Sequence, residues 1–66
     1  MLIHVNDKPV ELGDKPPLSR LLSDMGVPDK GVAIAINNNV VPRDTWSTRI
    51  LNDGDRILII RATQGG

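Results

Sequence analysis

Apolar positions recur along this chain with two periods, and each period marks a kind of element. In Leu2-Ile3-His4-Val5-Asn6 the residues alternate, with Ile3 and Val5 on one side and Leu2 and His4 on the other, which predicts a short strand. Asn6-Asp7-Lys8 is a turn signal. Val10 and Leu12 then alternate around Glu11, so the first twelve residues read as a hairpin. Pro9 places its strand at an edge or makes it begin there, because proline donates no ladder hydrogen bond. The period then changes. Leu18, Leu21, Leu22 and Met25 stand at i, i+3, i+4 and i+7, which puts all four on one helix face with Ser19, Arg20, Ser23 and Asp24 outside. Pro16-Pro17 predicts the start within the first turn, and Gly26 the stop.

Alternation returns in Val32-Ala33-Ile34-Ala35-Ile36, whose large residues share one face while two alanines leave the other smooth. Asn37-Asn38-Asn39 is a turn, since Asn tolerates positive φ. Val40-Val41 is a brief strand stopped by Pro42. Arg43 to Trp46 predicts a single helical turn, with Trp46 closing one end of the core. Asn52-Asp53-Gly54-Asp55 is a strong turn, and Arg56-Ile57-Leu58-Ile59-Ile60-Arg61 is a last strand, apolar on both faces. One short amphipathic helix among five strands must lie across one face of a single sheet. The expected fold is α+β: a β-grasp, or ubiquitin-like, roll, with a mixed sheet of four to five strands. The right-handed crossover rule places the strand after the helix beside the hairpin. Residues 1–61 form the expected domain, and 62–66 a flexible tail ending Gly65-Gly66.

Composition narrows the function classes. At 66 residues there is room for one domain with a thin core. Zero Cys removes disulfides and thiolate-bound zinc, and the single His4 has no second imidazole to share a metal, so no metal site is expected. Eight Lys and Arg balance eight Asp and Glu, and Trp46 is the only aromatic, so neither a basic surface nor a set of stacking platforms is offered to nucleic acid. No apolar run approaches the roughly 20 residues of a membrane span, and polar residues follow Met1-Leu2-Ile3 too closely for a signal-peptide core. A cytoplasmic location is expected.

The acidic residues sit in or beside turns or on polar faces, where solvation explains them, and His4 falls on the sheet face opposite Ile3 and Val5. The serines have no neighbouring base or elbow motif, and no Gly-rich loop precedes a helix. No catalytic residue is expected, and the chain does not read as an enzyme. The chemistry-bearing feature is the terminus. Gly65 and Gly66 lack a Cβ and can thread a narrow channel. An extended run from Arg61 to Gly66 reaches roughly 20 Å. The reactive group so delivered is a carboxylate, a poor electrophile that must be activated, adenylation by ATP being the obvious route. If Ile57 and Ile59 face the helix, Leu58 and Ile60 face outward as a docking surface, with Arg56 and Arg61 placed to frame it.

The segment Ala35-Ile36-Asn37-Asn38-Asn39-Val40-Val41-Pro42-Arg43-Asp44-Thr45-Trp46, the block Leu51-Asn52-Asp53-Gly54-Asp55-Arg56-Ile57 and the terminal Gly65-Gly66 together resemble the ThiS family of sulfur carriers in bacterial thiamine biosynthesis, within the MoaD/ThiS superfamily. The resemblance covers the whole chain. It implies that a ThiF-type adenylyltransferase, using ATP and Mg, converts the Gly66 carboxylate to an acyl adenylate. A cysteine desulfurase persulfide then supplies sulfur to form a thiocarboxylate, and a ThiG-type thiazole synthase takes that sulfur. The chain itself would bind no cofactor. Gly66 carries the sulfur, Gly65 and Gln64 form the tail entering a partner's active site, and Leu58 and Ile60 dock. A MoaD-type small subunit of molybdopterin synthase, a ubiquitin-like protein modifier and a plain interaction domain are the alternatives. One departure stands out: where the family commonly caps its helix with Thr or Ser, this chain has Pro17, and a lost cap typically costs ~0.5–2 kcal/mol, partly offset by proline's preset φ.

Overall fold

Both hairpins turn on two residues held at positive φ. In the computed structural model, which describes residues 1–28 and 30–61, β1 (Leu2–Val5) pairs antiparallel with β2 (Lys8–Glu11), and Val5 faces Lys8 across a turn with Asn6 at φ 50° and Asp7 at φ 68°. The second hairpin repeats the device. β3 (Val32–Ile36) pairs with β4 (Asn39–Val41), and Asn37 and Asn38 turn at φ 52° and 71°. Two central residues in the left-handed region make the turn whose twist matches a hairpin, and Asn and Asp enter that region more easily than other side chains.

The helix α1 spans Leu18–Asp24, and β5 spans Arg56–Arg61. The five strands form one sheet in the order β2-β1-β5-β3-β4. β5 runs parallel to β1 through His4↔Arg56 and Val5↔Ile57, and antiparallel to β3 from Ile36↔Ile57 to Val32↔Arg61. This is the expected β-grasp roll, with one correction. The strand after the helix does not lie beside the hairpin, because β5 inserts between β1 and β3. Proline explains the order: Pro9 lies within β2 and Pro42 follows β4, so both suit edges, whereas β5 lacks proline and is apolar on both faces.

The core lies between one sheet face and α1. Ile3 and Val5 of β1, Ile34 and Ile36 of β3 and Ile57 of β5 meet Leu18, Leu21 and Leu22, while Trp46 and Leu51 close the margin. As expected, Trp46 is buried. Its indole Nε1 donates to the Val41 carbonyl at 3.0 Å, and the Arg43 guanidinium lies 5.6 Å from the ring centre. Met25 departs from the expected helix face, being 43% exposed. The helix has ended by then. Met25 is its C-cap, Gly26 sits at φ 71°, and the amides of Gly26 and Val27 donate back to Ser23 and Leu22 in a Schellman closure.

The helix start differs from expectation in position and in how it is satisfied. Pro17 is the N-cap, in extended conformation, rather than a first-turn residue, and it makes no side-chain cap. Backbone from the segment before β5 replaces that cap. The Leu18 amide donates to the Arg49 carbonyl at 2.8 Å, and the Ser19 amide to the Trp46 carbonyl at 3.0 Å. The Pro17 carbonyl accepts from Arg20 and Leu21, so every donor of the first turn has a partner.

Asp55 also departs from the reading of solvated turn carboxylates: it is 6% exposed. Its Oδ1 accepts from Asn37 Nδ2 at 3.1 Å, its Oδ2 accepts from the Asn52 amide at 2.8 Å, and Arg49 Nη2 lies 3.9 Å away. One carboxylate thus ties the β3–β4 turn, the turn before β5 and the segment that caps the helix. Asp55→Ala should lose about 2–3 kcal/mol of stability, because two donors lose their acceptor in a partly buried place. Urea unfolding followed by circular dichroism measures it; a loss under 0.5 kcal/mol would mean that water replaces the carboxylate without cost.

Candidate functional site

The sheet face turned away from α1 is the candidate site, and strand alternation builds it. In β5 the burial alternates as expected. Ile57 is buried and Ile59 partly buried against the core, while Leu58 is 50% and Ile60 46% exposed. Cross-strand partners share a face, so Leu58 lies beside Ala35 and Ile60 beside Ala33. Ala35 in turn faces Val40, which is 73% exposed. The two alanines therefore floor a shallow apolar strip, with Leu58 and Ile60 along one side and Val40 on the other. Alternation along the sequence shows the β5 half and the smooth alanine face. Val40 is not legible there, because its place depends on the pairing of β4 with β3.

At one end the strip passes into a polar cleft between the two hairpin turns, whose lining includes His4, Asn6, Asp7, Asn38, Arg56 and Leu58. His4 is half-buried on this face, as alternation implied. Arg56 is already engaged: its Nη2 lies 3.6 Å from Asp7 Oδ1, an exposed ion pair. The expectation that Arg56 and Arg61 frame the same patch needs correction. Five positions separate them on one strand, so they belong to opposite faces, and Arg61 stands opposite Val32 of the core row. Among the described residues there is no group of three or more His, Cys, Asp or Glu side chains placed to hold a metal. Gln64, Gly65 and Gly66 lie outside the described residues.

The described chain stops at Arg61, the last residue of β5. Residues 62–66 follow directly on β5, the central strand of the sheet. A second feature that sequence reasoning missed acts on this strand. The Asn6 side chain accepts the Ile59 amide at 2.8 Å, and the Asn37 side chain accepts the Arg56 amide at 3.1 Å. In the sequence each asparagine reads only as a turn former; the second role depends on β5 arriving between the two turns.

The comparisons agree with this architecture. The family model described as "ThiS family" matches residues 3–66. This chain belongs to the ThiS family. It is 35% identical over 66 residues to the sulfur carrier protein ThiS of Escherichia coli, covering 100% of both chains. It also resembles the crystal structure of the thiamine biosynthesis protein ThiS from Geobacter metallireducens, with 26% identity, a TM-score of 0.86 and 100% of each chain covered. The solution structure of a thiamine biosynthesis protein from the same organism matches at 28% identity and a TM-score of 0.80, covering 100% of this chain and 88% of that one. Both structural likenesses extend over the whole ThiS-family domain, including the central last strand.

The two rows of β5 make opposite predictions for substitution. Leu58→Asp should shift the melting temperature by less than about 4 °C, as expected of an exposed position. Ile57→Asp should leave the protein largely unfolded, because it buries an unpaired charge where 2% of the residue is accessible. Thermal melts of the two variants test the strand register, and a reversed ranking would show it to be inverted.

Proposed function

We propose that this protein is a sulfur carrier for formation of the thiazole ring of thiamine, acting as a co-substrate and not as an enzyme. The observation that carries the reading is its ThiS-family membership together with a sequence that ends Gly65-Gly66, following a central strand with an exposed apolar face. In this reading the Gly66 carboxylate attacks the α-phosphate of ATP, held with Mg by a ThiF-type adenylyltransferase, and pyrophosphate leaves. The terminal sulfur of a cysteine desulfurase persulfide attacks the acyl adenylate at the carbonyl carbon, and AMP leaves. A thiol reductant then cleaves the resulting S–S bond, and Gly66 keeps one sulfur as a thiocarboxylate. A ThiG-type thiazole synthase accepts that sulfur.

The division of labour follows from physical properties. Gly65 and Gln64 provide the approach to the partner's reacting centre, where glycine's missing Cβ suits a narrow channel. Leu58 and Ile60 supply apolar area that gains free energy when a partner covers it, roughly 25 cal/mol per Å² removed from water. The alanine floor lets that partner come close to the sheet. Charge balance also favours this reading over nucleic-acid binding, since eight basic residues are offset by eight acidic ones.

Deleting Gly66 should abolish sulfur transfer while leaving the melting temperature within about 2 °C, as expected for the end of a terminus. Intact-protein mass spectrometry of chain isolated from cells, with iodoacetamide trapping, should show a species heavier by one oxygen-to-sulfur exchange at the terminus. Retained thiamine synthesis in the truncated protein would sink the carrier reading, and finding only lysine-linked conjugates would support a protein modifier instead. Leu58→Asp should weaken binding to the adenylyltransferase about tenfold or more, measured by titration calorimetry, because an aspartate in an apolar contact must lose its water.

A further inference from the structure

The parallel ladder between β1 and β5 is short, and its last bond is made by a side chain. The His4 amide donates to the Asp55 carbonyl and the Asn6 amide to the Ile57 carbonyl, each at 2.9 Å. In a regular parallel ladder the Ile59 amide would next donate to the backbone carbonyl of residue 6. Here the backbone turns away at Asn6, whose φ is 50°. The Asn6 Oδ1 takes the place of that carbonyl and accepts the Ile59 amide at 2.8 Å. Beyond this point β5 has one neighbour. Ile60 and Arg61 pair with Ala33 and Val32 of β3, whereas the β1 register ends at Ile57.

We propose that Asn6 is a positioning residue for the reaction at the chain's end: its amide oxygen fixes the line along which β5 leaves the sheet, and so narrows the region from which the residues after β5 deliver the Gly66 carboxylate to a partner's active site. The inference rests on the carrier reading above. Its physical basis is leverage. A strand held on both flanks as far as Ile59 has a defined direction, whereas one released at Ile57 on the β1 side pivots on its β3 pairing alone. A root free to pivot widens the region over which the end of the chain is delivered, and reactions that depend on approach geometry lose rate as the share of productive approaches falls. Two requirements meet at position 6: a left-handed backbone and an acceptor on a short side chain. Gly meets the first alone, and Asp meets both.

Asn37 provides an internal control. Its Oδ1 accepts the Arg56 amide at the opposite end of β5, and its Nδ2 donates to buried Asp55, so its loss weakens the fold without touching the exit of the strand. The experiment is carrier-dependent ATP–pyrophosphate exchange with a ThiF-type adenylyltransferase and Mg-ATP, run where circular dichroism shows each variant folded. Asn6→Gly should lower kcat about tenfold while KM for the carrier stays within about twofold, because the apolar docking residues Leu58 and Ile60 are unchanged. Asn6→Asp should recover kcat to within about threefold, and Asn37→Gly should keep it within about twofold despite its lower melting temperature. A wild-type kcat in Asn6→Gly, with faster hydrogen exchange of the Ile59 amide, overturns the inference while leaving the carrier reading intact. An equal loss of kcat in Asn37→Gly also overturns it, since stability alone would then explain both. Absence of exchange with the wild-type chain overturns the carrier reading itself, and this inference with it.

Discussion

The last strand of the chain is the central strand of the sheet, and the rest of the molecule is arranged around that constraint. β5 runs parallel to β1 and antiparallel to β3, and through them holds both hairpins in one sheet. Without it, two separate hairpins would remain, and an isolated hairpin is marginally stable at best in water. The loop-closure entropy of joining the first and last strands is offset only when β5 docks and Ile57 enters the core. The same placement serves the proposed function. A reactive terminus that follows a central strand has a root held by neighbours, whereas one that follows an edge strand would share the freedom of the edge.

A domain of this size without disulfides has few apolar residues to spend on rigidity, and polar side chains make up part of the difference. Asn6 and Asn37 turn a hairpin each and then hold β5 from opposite flanks. Asp55 joins the second of these turns to the turn before β5 and to Arg49, whose backbone carbonyl in turn caps the helix. Each such bond contributes on the order of 1 kcal/mol, a sizeable share of a marginal total. They also act in a way that apolar contacts do not, since a hydrogen bond at 2.8 Å fixes register and direction as well as proximity.

The two faces of the sheet are specialised. One packs Ile3, Val5, Ile34, Ile36 and Ile57 under the helix; the other presents Leu58, Ile60 and Val40 around an alanine floor. Large aliphatics kept in water on a small domain suit contact with another protein, and the alanines keep the surface flat enough for close approach. Separation of the faces lets a partner engage the sheet without disturbing the core, which suits the proposed carrier role.

Much of this was legible in one dimension. Period-two alternation marked the strands and divided β5 into Ile57 and Ile59 against Leu58 and Ile60, because a strand points successive side chains to opposite sides whatever it pairs with. The helix, its stop at Gly26, the core position of Trp46 and the family motifs were equally local. Tertiary structure decided what depends on neighbours brought in from far along the chain: the place of β5 between β1 and β3, the backbone carbonyls that cap a helix begun by Pro17, and the strip that sets Leu58 and Val40 on either side of Ala35. It also decided that Asp55 is buried and that Asn6 and Asn37 hold a strand as well as turn a chain. The physical reason is the same in each case. Side-chain direction and turn propensity belong to the residue, whereas a hydrogen-bond partner more than fifteen positions away exists only once the sheet has closed.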